Sequence, residues 1–229
     1  MSTSTSSSAP TSGQVQADTL GQYAIAATTF TDQDKTDVIH STLLAQLAAY
    51  TESKSYDNIE AWLTKVLQTA GVFGWMIQSG STFKTVAQDD LKGSIDMVVA
   101  KYIIDSRHTN DLRVLIPLLY LRGSHSPDAL RILDEHGKTK SVGTFQLVIC
   151  EKTKDQDIII RIFPYGYNTT KDYVHSTIFQ KIERPNGYHM KYMSDPTICV
   201  LNMHAYDRLR SAVDDKVKDY LNRVAFLDI

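Results

Sequence analysis

The region from 143 to 201 constrains the fold of this chain more than any other. Apolar and polar residues alternate there in short runs, at 145–149, 158–162, 174–182 and 188–201, with turn sequences between them. A period of two residues is typical of a half-buried strand, and connections this short cannot make the crossover that a parallel pair requires. The sequence therefore predicts an α+β protein with a mainly antiparallel sheet of about four to six strands.

Helical patterns flank this strand region on both sides. In the block from about 34 to 137, apolar residues recur every three or four positions, which is the spacing of one helix face, and a short hairpin interrupts it at 73–86. Asp57 followed by Glu60 has the spacing of a capping box and predicts a helix start. A single apolar stripe at the C-terminal end predicts one long amphipathic helix, 203–225, that covers the sheet.

The N-terminal residues 1–18 differ from the rest of the chain, because they are rich in Ser and Thr and nearly free of large apolar side chains. Such a segment cannot offset the entropy of ordering, so we expect a disordered tail followed by a single globular domain at 19–229. The start has neither the basic residues nor the apolar stretch of a secretory signal, and no apolar window is long enough for a membrane-spanning helix. We expect a cytoplasmic protein, with non-classical export left open.

Charge and residue spacing exclude several classes of function. The formal charge of −2 argues against a nucleic-acid ligand, which requires a local surplus of Lys and Arg. The seven histidines are scattered without the spacing of a local metal site, and no cofactor motif is present, so we predict neither a metal nor a cofactor. The two cysteines, Cys150 and Cys199, lie in apolar strand segments and are predicted to be buried thiols.

The second face of the predicted sheet is the best candidate for a binding surface. If Ile158, Ile160 and Ile162 face the core, alternate residues on the same and the following strand share the other face. This face combines aromatic side chains with cationic groups, which is typical of recognition surfaces. The predicted binding residues are Arg161, Phe163, Tyr165, Tyr173, His175 and Phe179. The alternative is that the helical block covers this face and that its aromatic residues belong to a second core layer.

Three functions follow from these patterns. The first is a non-enzymatic binding protein that uses the aromatic face for a protein or small-molecule ligand and that is compatible with a homo-oligomer. The second is a membrane-active toxin or virulence-type protein, soluble before insertion, whose apolar helices at 91–104 and 110–121 resemble a hairpin that can open. The third is a hydrolase or transferase with a non-local site, for which Asp172, His175 and either Ser176 or Cys199 are the candidates.

Overall fold

The structure is a computed structural model. It describes residues 16–28, 30–52, 58–86, 93–105, 111, 131–133, 135–136, 142–169, 181–182 and 188–227.

The architecture is a large mixed sheet with helices packed on it. Its nine strands are β1 (Gln16–Leu20), β2 (Tyr23–Thr28), β3 (Trp75–Ser79), β4 (Phe83–Thr85), β6 (Val142–Lys152), β7 (Ile158–Thr169), β9 (Tyr188–Met193), β10 (Thr197–Leu201) and β11 (Val224–Leu227). Seven of them lie in the order β11-β1-β2-β6-β7-β10-β3, while β9 pairs with the second half of β7 and carries β4 beyond it. A separate two-stranded sheet joins β5 (Gly93–Ser94) to β8 (Lys181–Ile182).

The α+β class and the mostly antiparallel sheet are confirmed. Only β2 and β6 are parallel among the described pairs. The sheet has more strands than the sequence pattern predicts, because the N-terminal hairpin and the C-terminal strand β11 extend it. Strand β1 begins at Gln16, so residues 16–18 of the predicted tail lie in the sheet.

The N-terminal half contributes three described helices. They are α1 (Asp32–Glu52), α2 (Ile59–Val72) and α3 (Ile95–Asp105). The predicted hairpin at 73–86 forms β3 and β4, although these strands pair with β10 and β9 and not with each other. Helix α2 is capped by Asn58, one residue after the predicted cap Asp57, because the Asn58 side chain reaches the amides of the first turn.

The predicted long helix over 203–225 is not formed as one element. The chain makes α4 (Met203–Asp207), α5 (Arg210–Val217) and a 3₁₀ turn (Lys218–Arg223), and then β11. No residue of the 3₁₀ turn is buried, so the apolar stripe ends at Val217. Antiparallel pairing of β11 with β1 satisfies the backbone of the last residues, and this long-range pairing outweighs the helical pattern.

The main core lies between one face of the sheet and helices α1, α2, α4 and α5. Ile158, Ile160 and Ile162 of β7 belong to it, as predicted, and so do Cys150 and Cys199 on the neighbouring strands. Ion pairs connect the N-terminal part of α1 to two neighbouring elements. Its Asp34 contacts Lys152 of β6 at 2.9 Å, and its Asp37 contacts Arg210 of α5 at 2.8 Å. Helix α3 packs on the opposite face of the sheet, where its Tyr102 ring lies 4.1 Å from that of Tyr192.

Candidate functional site

The aromatic residues of the predicted binding face that belong to the described part of the chain are covered. Phe163 and Tyr165 are almost completely buried. The Tyr165 ring stacks on Phe145 at 5.3 Å, and the neighbouring Tyr192 is in turn covered by α3. These two positions match the alternative in which helices cover the face.

Arg161, on the same face, is held in an ion-pair network. Its guanidinium contacts Glu151 at 2.6 Å and Asp111 at 3.2 Å. Burial lowers the pKa of this guanidinium, but the hydrogen bonds and charges of the two carboxylates more than reverse the effect and raise it above its usual value. Arg161 is therefore a charged group already neutralised by its neighbours.

The other predicted site residues lie outside the described residues. They are Tyr173, His175 and Phe179 of the predicted binding face, together with Asp172 and Ser176 of the predicted catalytic set. Cys199, the remaining catalytic candidate, is buried in the sheet and free, and burial raises the pKa of its thiol to about 12. A thiol with so high a pKa is almost wholly protonated near pH 7, which makes it a poor nucleophile.

A groove of about 530 Å³ opens at the far end of β7, on the same face as the main core. Cross-strand register builds its floor in two rows. The first row places Val142, Asn168 and His189 side by side. The second row runs from Thr144 through Gly166 to Lys191 and Thr85. The start of α2 forms one wall, with Asn58, Ile59 and Glu60.

Gly166 sets the shape of this groove. A Cβ added there would lie 3.2 Å from the end of the Ile59 side chain, which is closer than ordinary packing allows. The glycine therefore lets the start of α2 sit low over the sheet and leaves the centre of the floor without a side chain. This combination produces a concave surface at the sheet end.

The charges of the groove are paired within it. Lys191 contacts Glu60 at 2.7 Å, so that the cation from the floor and the anion from the wall form an ion pair. The Asn58 side chain accepts hydrogen bonds from the backbone amides of Glu60 at 3.1 Å and Ala61 at 3.2 Å. Both the ammonium and the first amides of α2 thus have partners already.

Three polar side chains of the groove are available to hydrogen-bond with a ligand. Thr85, Asn168 and His189 are exposed, and their side chains make no hydrogen bond with any described residue. They present a hydroxyl, an amide and an imidazole to one cavity, so both donors and acceptors are available to a ligand. Sequence patterns did not single out these three residues as a site, because strands distant in the chain bring them together.

The outer face of α3 is the second unusual surface. The inner face of this helix is buried and carries Val98, Val99 and Ile103. Its outer side nevertheless carries Met97, which is 63% exposed, and Ile104, which is 49% exposed. Large apolar groups on both sides of one helix are unusual in a protein that meets only water.

Two kinds of feature are absent from the described residues. Among them, no three His, Cys, Asp or Glu side chains are grouped so as to hold a metal ion. None of their helices combines the length and the apolar character needed to cross a membrane.

Comparison with known proteins gives only distant structural likenesses. No protein-family model matches the chain. No curated protein matches it either. Among solved structures, a delta-endotoxin aligns over 88% of this chain and 87% of its own, at 11% identity and a TM-score of 0.45. The Evf virulence factor aligns over 93% of this chain and 84% of its own, at 11% identity and a TM-score of 0.28. Both TM-scores lie below 0.5, so neither likeness supports a conclusion about activity.

Proposed function

We propose that the protein is a non-enzymatic binding protein that takes a small polar ligand in the groove at the end of β7. The observation that carries this proposal is the convergence of the Thr85, Asn168 and His189 side chains on a cavity of about 530 Å³, where none of them hydrogen-bonds to a described residue. Ligand sites are typically clefts of about 300–1,000 Å³ in which a few polar groups fix the orientation of the ligand.

Filling the groove tests this proposal. Thr85 is exposed on β4, so Thr85→Trp should block the cavity at little cost to stability. In a ligand-observed NMR screen against a metabolite library, we expect hits for the wild type that disappear in this variant. Lys154→Trp, in the exposed turn before β7, is the matched control and should keep the hits. Hits that survive Thr85→Trp would remove the groove as the site.

A second candidate function is a membrane-active protein that is soluble before insertion, and the apolar outer face of α3 supports it. Met97, Lys101 and Ile104 lie on one exposed side of the helix, where two apolar groups flank a cation. Helices that lie in a membrane interface combine apolar groups with cations in this way. Movement of α3 away from the sheet would also uncover the aromatic face around Tyr165 and Tyr192, which restores the predicted binding surface.

Dye release from anionic liposomes, from about pH 7.5 down to about pH 5, tests this second function. The double substitution Met97→Asp and Ile104→Asp changes only exposed side chains, so the fold should survive while release is lost. Val72→Asp, at an apolar position that is also exposed, is the matched control. Absence of leakage from the wild type at every pH would rule the function out.

A further inference from the structure

We infer that the ligand of the groove is a neutral, hydroxyl-rich molecule, namely a sugar unit, either free or at the end of a glycan. This inference rests on the proposed function, because it names the ligand class of the same groove.

The charge distribution disfavours an anion. The Lys191 ammonium is engaged by the Glu60 carboxylate at 2.7 Å, so the pair contributes no net charge to the lining. The Asn58 side chain occupies the first free amides of α2, which are the groups that bind anions at other helix starts. A phosphate or carboxylate would therefore meet a Lys191 charge that is already balanced by the Glu60 carboxylate in the same lining.

The groove also lacks a platform for a flat aromatic ligand. The described lining residues include no Phe or Trp, and the aromatic rings among them are those of Tyr167 and the smaller imidazole of His189. The ring of Tyr167 covers Gly143 on the far side of the sheet, where an added Cβ would overlap it. Nucleobases and similar rings bind largely by stacking, and in the described lining they would find only the small His189 imidazole to stack on.

Sugar hydroxyls match the groups that remain. Each hydroxyl donates one hydrogen bond and accepts up to two. The Asn168 amide and the Thr85 hydroxyl can each donate and accept, and a neutral His189 ring offers one donor and one acceptor. Ile59 and Val142 add apolar area at the same groove, which suits the C–H surface of a sugar ring.

A buried amide lies one row behind the groove. Gln146 follows Thr144 by two residues on β6, so it shares the same face of the sheet, and it is completely buried. Neither its amide nitrogen nor its amide oxygen has a hydrogen-bond partner within the described part of the chain. Buried amides are rarely left without partners, and a hydroxyl group that reached past Thr144 would supply one.

A glycan array probed with the fluorescently labelled full chain tests the inference. We expect binding to one or more uncharged glycans. The double substitution Asn168→Ala and His189→Ala should weaken this binding at least about tenfold, because it removes two hydrogen-bonding groups. Lys154→Ala should have no effect, since Lys154 lies in the exposed turn at the opposite end of β7. Competition with free glucose, galactose, mannose and N-acetylglucosamine distinguishes a free sugar from a sugar at the end of a glycan. Displacement indicates a free sugar unit, and binding that resists it indicates a longer glycan.

Failure of the inference and failure of the proposed function give different results. Binding only to sulfated or sialylated glycans, or to inorganic phosphate, that is lost in the Asn168→Ala and His189→Ala double variant would overturn the neutral character of the ligand and leave the groove as the site. Thr85→Trp-sensitive metabolite hits without any glycan binding would overturn the sugar class alone. A silent array together with an NMR screen that yields no Thr85→Trp-sensitive hit would overturn both.

Discussion

The two halves of strand β7 have opposite roles on the same face of the sheet. Ile158, Ile160 and Ile162 in the first half are buried under α1 and its neighbours. Gly166 and Asn168 in the second half lie in the floor of the groove. The strand geometry is continuous, so the difference comes from the helical layer. Helix α2 begins over Gly166 and leaves Asn168 uncovered. A binding surface can thus arise where a covering layer ends, without any change in the sheet.

The strongest test of this contrast compares Ile160→Ala with Asn168→Ala. Ile160 is buried between Cys150 and Cys199 on the adjacent strands, so truncation should leave a cavity and cost about 3–4 kcal/mol of the free energy of unfolding. Asn168→Ala should change it by less than about 0.5 kcal/mol, because its side chain is exposed. Urea denaturation measures both values. Similar losses of unfolding free energy in the two variants would mean that both halves of β7 contribute equally to the core.

The second test removes one attachment of α1. Asp37 is completely buried and receives two hydrogen bonds of 2.8 Å from Arg210. Asp37→Asn removes the charge that pairs with the guanidinium, and we expect a loss of about 2 kcal/mol, because Arg210 is partly exposed and regains some hydration.

Asp207→Asn is the control for this test. Asp207 also contacts Arg210, at 2.7 Å, but it is mainly exposed, so the loss should stay below about 1 kcal/mol. Thermal unfolding of the two variants gives the comparison. Equal losses of stability in the two variants would show that burial of Asp37 does not strengthen its ion pair with Arg210.

A third test uses pH at Asp34, which lies one turn before Asp37 at the start of α1. Burial raises the pKa of Asp34, but hydrogen bonds from Thr31 and the charge of Lys152 outweigh it, and the net pKa is lower than usual. A carboxylate with a lowered pKa stabilises the fold above its unfolded pKa of about 3.9, and the stabilisation is lost as the pH falls through the folded pKa.

Asp34→Asn should therefore cost about 1 kcal/mol at neutral pH, and this cost should shrink below about pH 4. Urea denaturation at a series of pH values measures the difference between variant and wild type. A difference that stays constant down to the acid limit would contradict the assigned role of the Asp34 charge.

The smallest effect is expected at the boundary between the two halves. Gly166→Ala places a methyl group 3.2 Å from the end of Ile59, which can shift slightly, so the loss should be below about 1 kcal/mol. The added methyl also raises the groove floor. A loss near that of Ile160→Ala would show that the start of α2 is packed as tightly as the core, contrary to the proposed contrast.

Local patterns in the sequence predicted much of the fold because they act over short distances. The alternation of Ile158, Ile160 and Ile162 was enough to assign a strand and its core face, and this assignment is confirmed. The apolar setting of Cys150 and Cys199 indicated buried thiols, and both are buried thiols in the structure. In these cases the residues that decide the structure are neighbours along the chain.

Long-range strand pairing explains why the sequence did not predict β11 or the groove. The apolar residues near Val224 fit a helix stripe as well as a strand, and pairing of β11 with β1 selects the strand. The groove depends on residues from five separate parts of the chain, namely the start of α2 and strands β4, β6, β7 and β9. Thr85, Asn168 and His189 meet only because β4, β7 and β9 are adjacent, and Asn58 joins them at the start of α2. No residue spacing within one segment of the chain predicts that these side chains lie together.

The sequence by itself determined the class of the protein and the apolar face of its central strands, because alternation and side-chain hydrophobicity are local properties. Only the tertiary structure decided which polar residues share a cavity and which aromatic residues are covered. Those outcomes depend on strand order and on how the helices pack on the sheet, and both are set by contacts between residues far apart in the chain.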